Sequence, residues 1–249
     1  MQRPVFAANW KMNYGPTDAR AFLRRFLTRY ARRSDRQVVF FPSAISLTSV
    51  VDMLKERSDI MVGVQNIHWE DKGAFTGELS APMARDGGAH LALVGHSERR
   101  HVFGESDDET SRKVAAAVRS RLVPVLCVGE KLAERERGEA ERVVIRQLRA
   151  GISLVQPHDL AGMLVAYEPV WAIGTGKTAT PEDAAAMHSV IRAELQNALS
   201  DKSRAVPILY GGSVNQGNAA TLLAAKDVDG LLVGGASLDA DAWTSIVRT

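Results

Sequence analysis

Cysteine, net charge and long apolar runs are all scarce in this 249-residue chain, and each shortage removes a class of protein. The single cysteine, Cys127, cannot close an internal disulfide, and no Cys/His cluster has zinc-ligand spacing, so a disulfide scaffold and a zinc-built fold are both excluded. Lys and Arg total 31 against 29 for Asp and Glu, a formal charge of +2, which is too weak a field for a dedicated nucleic-acid binder. No run reaches the about 18 apolar residues of a membrane span, and the opening MQRPVFAANW sets one charge before only a short apolar run, unlike a secretory signal. A soluble cytoplasmic protein with neither nucleic-acid nor membrane partners is the expectation.

What the chain does contain is a recurring alternation. Apolar runs appear at PVFAAN (4–9), VVFF (38–41), IMVGV (60–64), LALVG (91–95), VPVLCV (123–128), MLVAY (163–167), VPILY (206–210) and GLLVG (230–234). They lack strict polar alternation, as parallel strands buried on both faces do. Helical periodicity lies between them, for example Phe22, Phe26, Leu27 and Tyr30 in the first interval and Met187, Val190, Ile191 and Leu195 in the sixth. Thr180 as cap and Pro181 at the first helical position announce the sixth helix. Eight strand–helix units and no linker-like tract predict an α/β fold, a single closed (β/α)8 barrel of parallel strands over residues 1–249. An open doubly wound sheet also alternates, but closure brings NWK, HSERR, EPVWAIGTGKT, GGSVN and GGASL, each following a different strand, to one mouth.

Glu168 ends the sixth apolar run just before Pro169, which biases it to extended backbone and presents its carboxylate at that mouth among apolar neighbours, a setting for a general base. Taken alone, a rim carboxylate paired with arginine is the commoner reading. The following segment to Thr178 has the bulky and glycine composition of a hinged lid or of a plain connection. GTGKT is not a nucleotide phosphate loop, because Trp171 stands where its first glycine is needed. GGSVN (211–215) and GGASL (234–238) each leave a strand and are expected to enter a helix, offering backbone N–H groups to an anion. GGSVN is also a near miss for a hydrolase nucleophile elbow, but Asn215 replaces the last glycine, so Ser213 reads as a phosphate donor. His96 follows the fourth strand, and Lys11, one of eight lysines beside 23 arginines, follows the first, where it can meet an anion or oxyanion.

Other features read as scaffold. The arginines at 20, 24, 25, 29, 32, 33 and 36 interleave with the first apolar stripe and are expected on its solvated face. KLAERERGEAER (131–142) is mixed in sign and solvated, Cys127 a small buried hydrophobe, and His68, His90, His101, His158 and His188 structural or surface residues. QNIHWEDKGAFTGE (65–78) is a long connection carrying Trp69 and Phe75, suited to a partner surface in a symmetric homodimer.

These segments together resemble the triosephosphate isomerase family, from FAANWKMN at residue 6 through GAFTGE, LVGHSERR, HVFGE, AYEPVWAIGTGKT and YGGSV to VGGASL at residue 238. The resemblance implies interconversion of dihydroxyacetone phosphate and D-glyceraldehyde 3-phosphate through an enediol or enediolate. It further implies Asn9 and Lys11 as substrate ligands, His96 as neutral electrophile and Glu168 as base. Phosphate would be held by N–H groups of Gly174, Ser213, Gly234 and Gly235. Residues 65–78 would form a dimer arm, Thr76 reaching the partner's site, and neither metal nor organic cofactor would be needed. Another phosphate-binding barrel isomerase, or a non-catalytic phosphate-binding module, are the other readings of the same cradle.

Overall fold

The computed structural model describes residues 1–160, 162–173 and 179–249. The apolar runs form β1 (Val5–Asn9), β2 (Gln37–Phe41), β3 (Ile60–Val64), β4 (Leu91–Val94), β5 (Val123–Val128), β6 (Leu164–Tyr167), β7 (Ile208–Tyr210) and β8 (Gly230–Val233). Each strand pairs in parallel with the next, and β8 pairs with β1, so the sheet closes into a barrel. Among the described residues the helices are α1 (Pro16–Arg29), α2 (Leu47–Leu54), α3 (Ala81–Asp86), α4 (Ser97–His101), α5 (Asp107–Arg119), α6 (Leu132–Glu136), α7 (Ala140–Ile152), α8 (Pro181–Leu199), α9 (Ala219–Leu223) and α10 (Ala240–Val247). None of them is long and apolar enough to cross a membrane.

Pleating explains why the strand runs do not alternate in polarity. Val5, Ala7, Val39, Phe41, Leu93 and Leu164 fill the barrel, while Phe6, Ala8, Val38, Phe40 and Val94 on the same strands pack under the helices. Cys127 is one of the inward residues, fully buried, and that burial pushes its thiol well above the ordinary range. Helix α1 buries Phe22, Leu23 and Phe26, and α8 buries Met187, Ile191 and Leu195. Thr180 caps α8 by accepting from the Asp183 N–H at 3.1 Å, with Pro181 following it as the sequence predicts.

Several boundaries differ from the apolar runs. Pro4 and Pro207 have no N–H for a ladder and stand outside β1 and β7. The N–H groups of Met163 and Val206 are spent on turns to Leu160 and Ser203. Gly95 leaves β4 at φ 70°, a left-handed turn that suits glycine and directs the chain toward His96. The arginine run also divides: α1 stops at Arg29, so Arg32, Arg33 and Arg36 are not on its face. Arg36 is buried, donating to the Val247 and Thr249 carbonyls and lying 5.7 Å over the Phe6 ring.

The parallel closure sets every strand's carboxyl end at one rim. Asn9 ends β1, Glu168 follows β6, Gly211 follows β7 and Gly234 follows β8, while His96 lies two residues past β4.

Candidate active site

A cavity of about 300 Å³ opens at this rim, lined by Asn9, Lys11, His96, Glu168, Ile173, the segment 211–214, Leu232 and the segment 234–236. Its lining includes a buried carboxylate–imidazole pair, with His96 Nε2 at 3.0 Å from Glu168 Oε1. Ser97 donates its backbone N–H to Glu168 Oε2 at 2.9 Å and its hydroxyl to Oε1 at 3.1 Å. Asn9 Nδ2 is 3.2 Å from the same His96 nitrogen, and Asn9 Oδ1 accepts the Lys11 N–H at 3.0 Å. Lys11 Nζ reaches Glu98 Oε1 at 2.7 Å, and Lys11 holds a left-handed backbone at φ 51°. That backbone is anchored by Gln65, whose amide donates to the Lys11 carbonyl at 2.8 Å and the Phe41 carbonyl at 2.9 Å.

The local chemistry fixes protons as well as atoms. The Glu98 N–H donates to His96 Nδ1 at 3.3 Å, so the ring's own proton belongs on Nε2, facing Glu168. Burial alone would hold the Glu168 carboxyl neutral, but the imidazole and the Ser97 donors outweigh it and set its pKa below the ordinary value. Burial likewise opposes charge on His96, while the neighbouring carboxylate raises that imidazole's proton affinity. A second ring proton would have to sit on Nδ1, against the Glu98 N–H, and the geometry therefore favours a neutral ring beside an ionised carboxylate.

Glycines make room for Glu168. A Cβ on Gly129 would stand 1.8 Å from the Glu168 carbonyl oxygen, and one on Gly211 would stand 2.9 Å from its Cγ. Across the mouth, a Cβ on Gly234 would stand 3.2 Å from Lys11 Cε, so the lysine crosses directly over the turn after β8.

The sequence model of the triosephosphate isomerase family matches residues 4–249. The chain belongs to the triosephosphate isomerase family. It is 47% identical to the triosephosphate isomerase of Herpetosiphon aurantiacus, with 100% of this chain and 99% of that protein covered. To that of Marinobacter nauticus it is 48% identical, with 100% and 98% covered. The crystal structure of triosephosphate isomerase from Bartonella henselae superposes with a TM-score of 0.88 at 36% identity, covering 99% of this chain and 98% of that one.

For a member of the triosephosphate isomerase family, the expected residues Asn9, Lys11, His96, Glu168, Ser213, Gly234 and Gly235 all meet at one cavity. Gly174, with the second half of the expected lid (169–178), lies outside the described residues. The turns after β7 and β8 differ from expectation in one respect, since neither GGSVN nor GGASL enters a helix directly. Asn215 Oδ1 accepts the Gly217 and Asn218 N–H groups, and Asn218 Oδ1 accepts that of Asn215, which delays α9 until Ala219. Gly235–Ser237 forms a single 3₁₀ turn, and α10 starts only at Ala240. The Ser213 hydroxyl is engaged at 2.6 Å with the Ala172 carbonyl, which leaves its backbone, not its side chain, for an anion. Ser97, Glu98, Gln65 and Tyr14 were not singled out by sequence. The first two sit inside HSERR and the third opens QNIHWED, but their partners lie on other loops.

Proposed function

We propose that Glu168 is the base, His96 the electrophile, and Asn9 and Lys11 the charge-stabilising ligands of a triose phosphate isomerase site. The reaction is interconversion of dihydroxyacetone phosphate and D-glyceraldehyde 3-phosphate, a step of glycolysis and gluconeogenesis. The carrying observation is the 3.0 Å contact between the buried Glu168 carboxylate and His96 Nε2, the nitrogen on the other side of the ring accepting a backbone N–H. Glu168 removes a proton from the carbon beside the carbonyl and returns it to the neighbouring carbon. In doing so it exchanges the Ser97 donors for substrate. His96, as neutral imidazole, polarises the carbonyl and moves protons between the two oxygens, and Lys11 Nζ leaves Glu98 to meet the developing oxyanion. The phosphate, which does not react, is held by backbone N–H groups of Ser213, Gly234, Gly235 and Gly174. Its binding energy orients the reacting carbons. No step calls on a metal or organic cofactor.

The same reading makes the whole chain one catalytic domain that works as a homodimer in the cytoplasm. Met12, Ile45, Phe75, Val102 and Phe103, on the loops after β1 to β4, are exposed apolar side chains, more than a solvated rim accounts for. Thr76 is exposed and does not line its own chain's cavity, as expected of a residue that serves the neighbouring copy. Within 65–78, the His68 ring stacks 4.2 Å from both Trp69 and Phe75, stiffening the arm.

A coupled assay on purified protein with D-glyceraldehyde 3-phosphate tests the reading, with Glu168→Gln beside it. The wild type should turn over, and the variant should lose about 10³-fold in kcat, within the range of a general base. A folded wild type without isomerase activity, or an equally active variant, rejects it.

A further inference from the structure

Tyr14 is a residue that the reaction does not use, yet three loops of the active-site rim meet on it. It lies in the loop after β1, three residues beyond Lys11, at φ 62°, a backbone region that penalises a side chain and that the adjacent Gly15 would occupy more cheaply. Its hydroxyl donates to the carbonyl of Leu238, at the end of the turn after β8. Its own carbonyl accepts from the hydroxyls of Ser46 at 2.7 Å and Ser43 at 3.1 Å, both on the loop after β2. The ring is seated edge-on to Trp10, with centroids 5.2 Å apart, and packs on Phe22 at 5.8 Å.

The turn that receives the hydroxyl is a closed unit. Ser237 donates both its N–H and its hydroxyl to the Gly234 carbonyl, at 2.8 and 2.7 Å, and the Leu238 N–H donates to Gly235 at 3.0 Å. A tether on Leu238 therefore restrains Gly234 and Gly235, which line the cavity, and ties them to the loop that carries Lys11. This stretch is a single 3₁₀ turn, and the Tyr14 hydroxyl bonds it to another loop of the rim.

We propose that Tyr14 is a positioning residue for the phosphate-binding turn, holding Gly234 and Gly235 in register with Lys11 through its bond to Leu238. The inference rests on the isomerase reading for the reaction, but the anion-binding part of it can be measured without turnover. Its consequence is selective. Loosening the clasp weakens interactions with a phosphate while sparing the proton-transfer centre, because Glu168 and His96 are fixed by Ser97 and Glu98 instead.

Tyr14→Phe removes only the hydroxyl and keeps the ring against Trp10 and Phe22. Titration with inorganic phosphate, followed by NMR, should give a dissociation constant about three- to tenfold higher than wild type, the loss expected for one neutral hydrogen bond acting through a tether. KM for D-glyceraldehyde 3-phosphate should rise by the same factor, with kcat unchanged. Turnover of D-glyceraldehyde, which lacks the phosphate, should not alter. Ser46→Ala, which removes the shorter of the two bonds to the Tyr14 carbonyl, should act in the same direction to a smaller extent. Unchanged phosphate affinity in a natively folded Tyr14→Phe overturns the proposal. So does an equal slowing of both substrates, which would make the contact merely structural. If phosphate affinity falls but the wild type has no isomerase activity, the clasp stands and the proposed reaction fails.

Discussion

At the amino-terminal end of the barrel, Asp229 accepts from Arg3 and Arg192, each at 2.6 Å, and from the Ile208 N–H at 2.9 Å. At the carboxyl end, Glu168 accepts from Ser97 twice and from His96. Both carboxylates satisfy their oxygens, but with partners of different kinds. Asp229 ties β7, β8 and β1 to α8 through permanently charged guanidinium groups, and its geometry has no reason to change. Glu168 is held by a hydroxyl, an amide and an imidazole, partners weak enough for a substrate to replace. Lys11 likewise pairs with Glu98, a partner it can leave. Paired charge thus serves cohesion at the half-buried amino-terminal end and, in the proposed reaction, exchange with substrate at the buried carboxyl end, and the two sites differ in their partners as well as in depth.

The contrast fails if substitutions at the two ends have the same phenotype. Lys11→Met should have the largest effect, lowering kcat/KM by about 10²- to 10³-fold as oxyanion stabilisation is lost. Its thermal midpoint should stay near wild type, and steady-state kinetics beside calorimetry would check both. Glu168→Asp withdraws the carboxylate by about 1 Å and should cost roughly 10²-fold, chiefly in kcat. At the opposite end, Asp229→Ala leaves Arg3 and Arg192 facing each other and should destabilise the fold by about 2 kcal/mol, kcat/KM remaining unchanged. Urea unfolding and the isomerase assay decide that case together.

A last effect sharpens the contrast through pH. His188 is buried against Tyr167 and Tyr210, its Nδ1 bonded to the Asp227 carbonyl at 3.0 Å, and burial depresses its pKa to about 4. The unfolded chain takes up this proton near pH 6.5 and the native one does not, so native stability falls as pH drops from about 6.5 toward 4. Between pH 7 and 5 this histidine should cost about 2 kcal/mol, a loss absent from His188→Asn when unfolding is measured at both values.

How much of this was legible in the sequence depended on range. The eight strands could be read because two-sided burial demands unbroken apolar runs, and the α8 cap could be read because its signal is local. Short helices such as α4 and α9 left no periodicity to find, since five residues barely complete one turn. Asn215 and Asn218 postponed a helix that paired glycines suggested. Glu168, His96 and Lys11 were visible as chemically unusual residues at strand ends. Gln65 and Tyr14 were not, because each acts on a loop distant in sequence, and only closure of the barrel brings those loops together.

The two glycines beside Glu168 carry a consequence for anyone wishing to redesign this pocket. With Gly129 against its carbonyl and Gly211 against its Cγ, neither position can accept even a methyl group without displacing Glu168. Shape selectivity cannot be evolved from those strand ends. Room for a bulkier or differently branched sugar has to be found on the far wall, at Ile173, Val214 or Ala236, where side chains line the cavity without supporting the carboxylate.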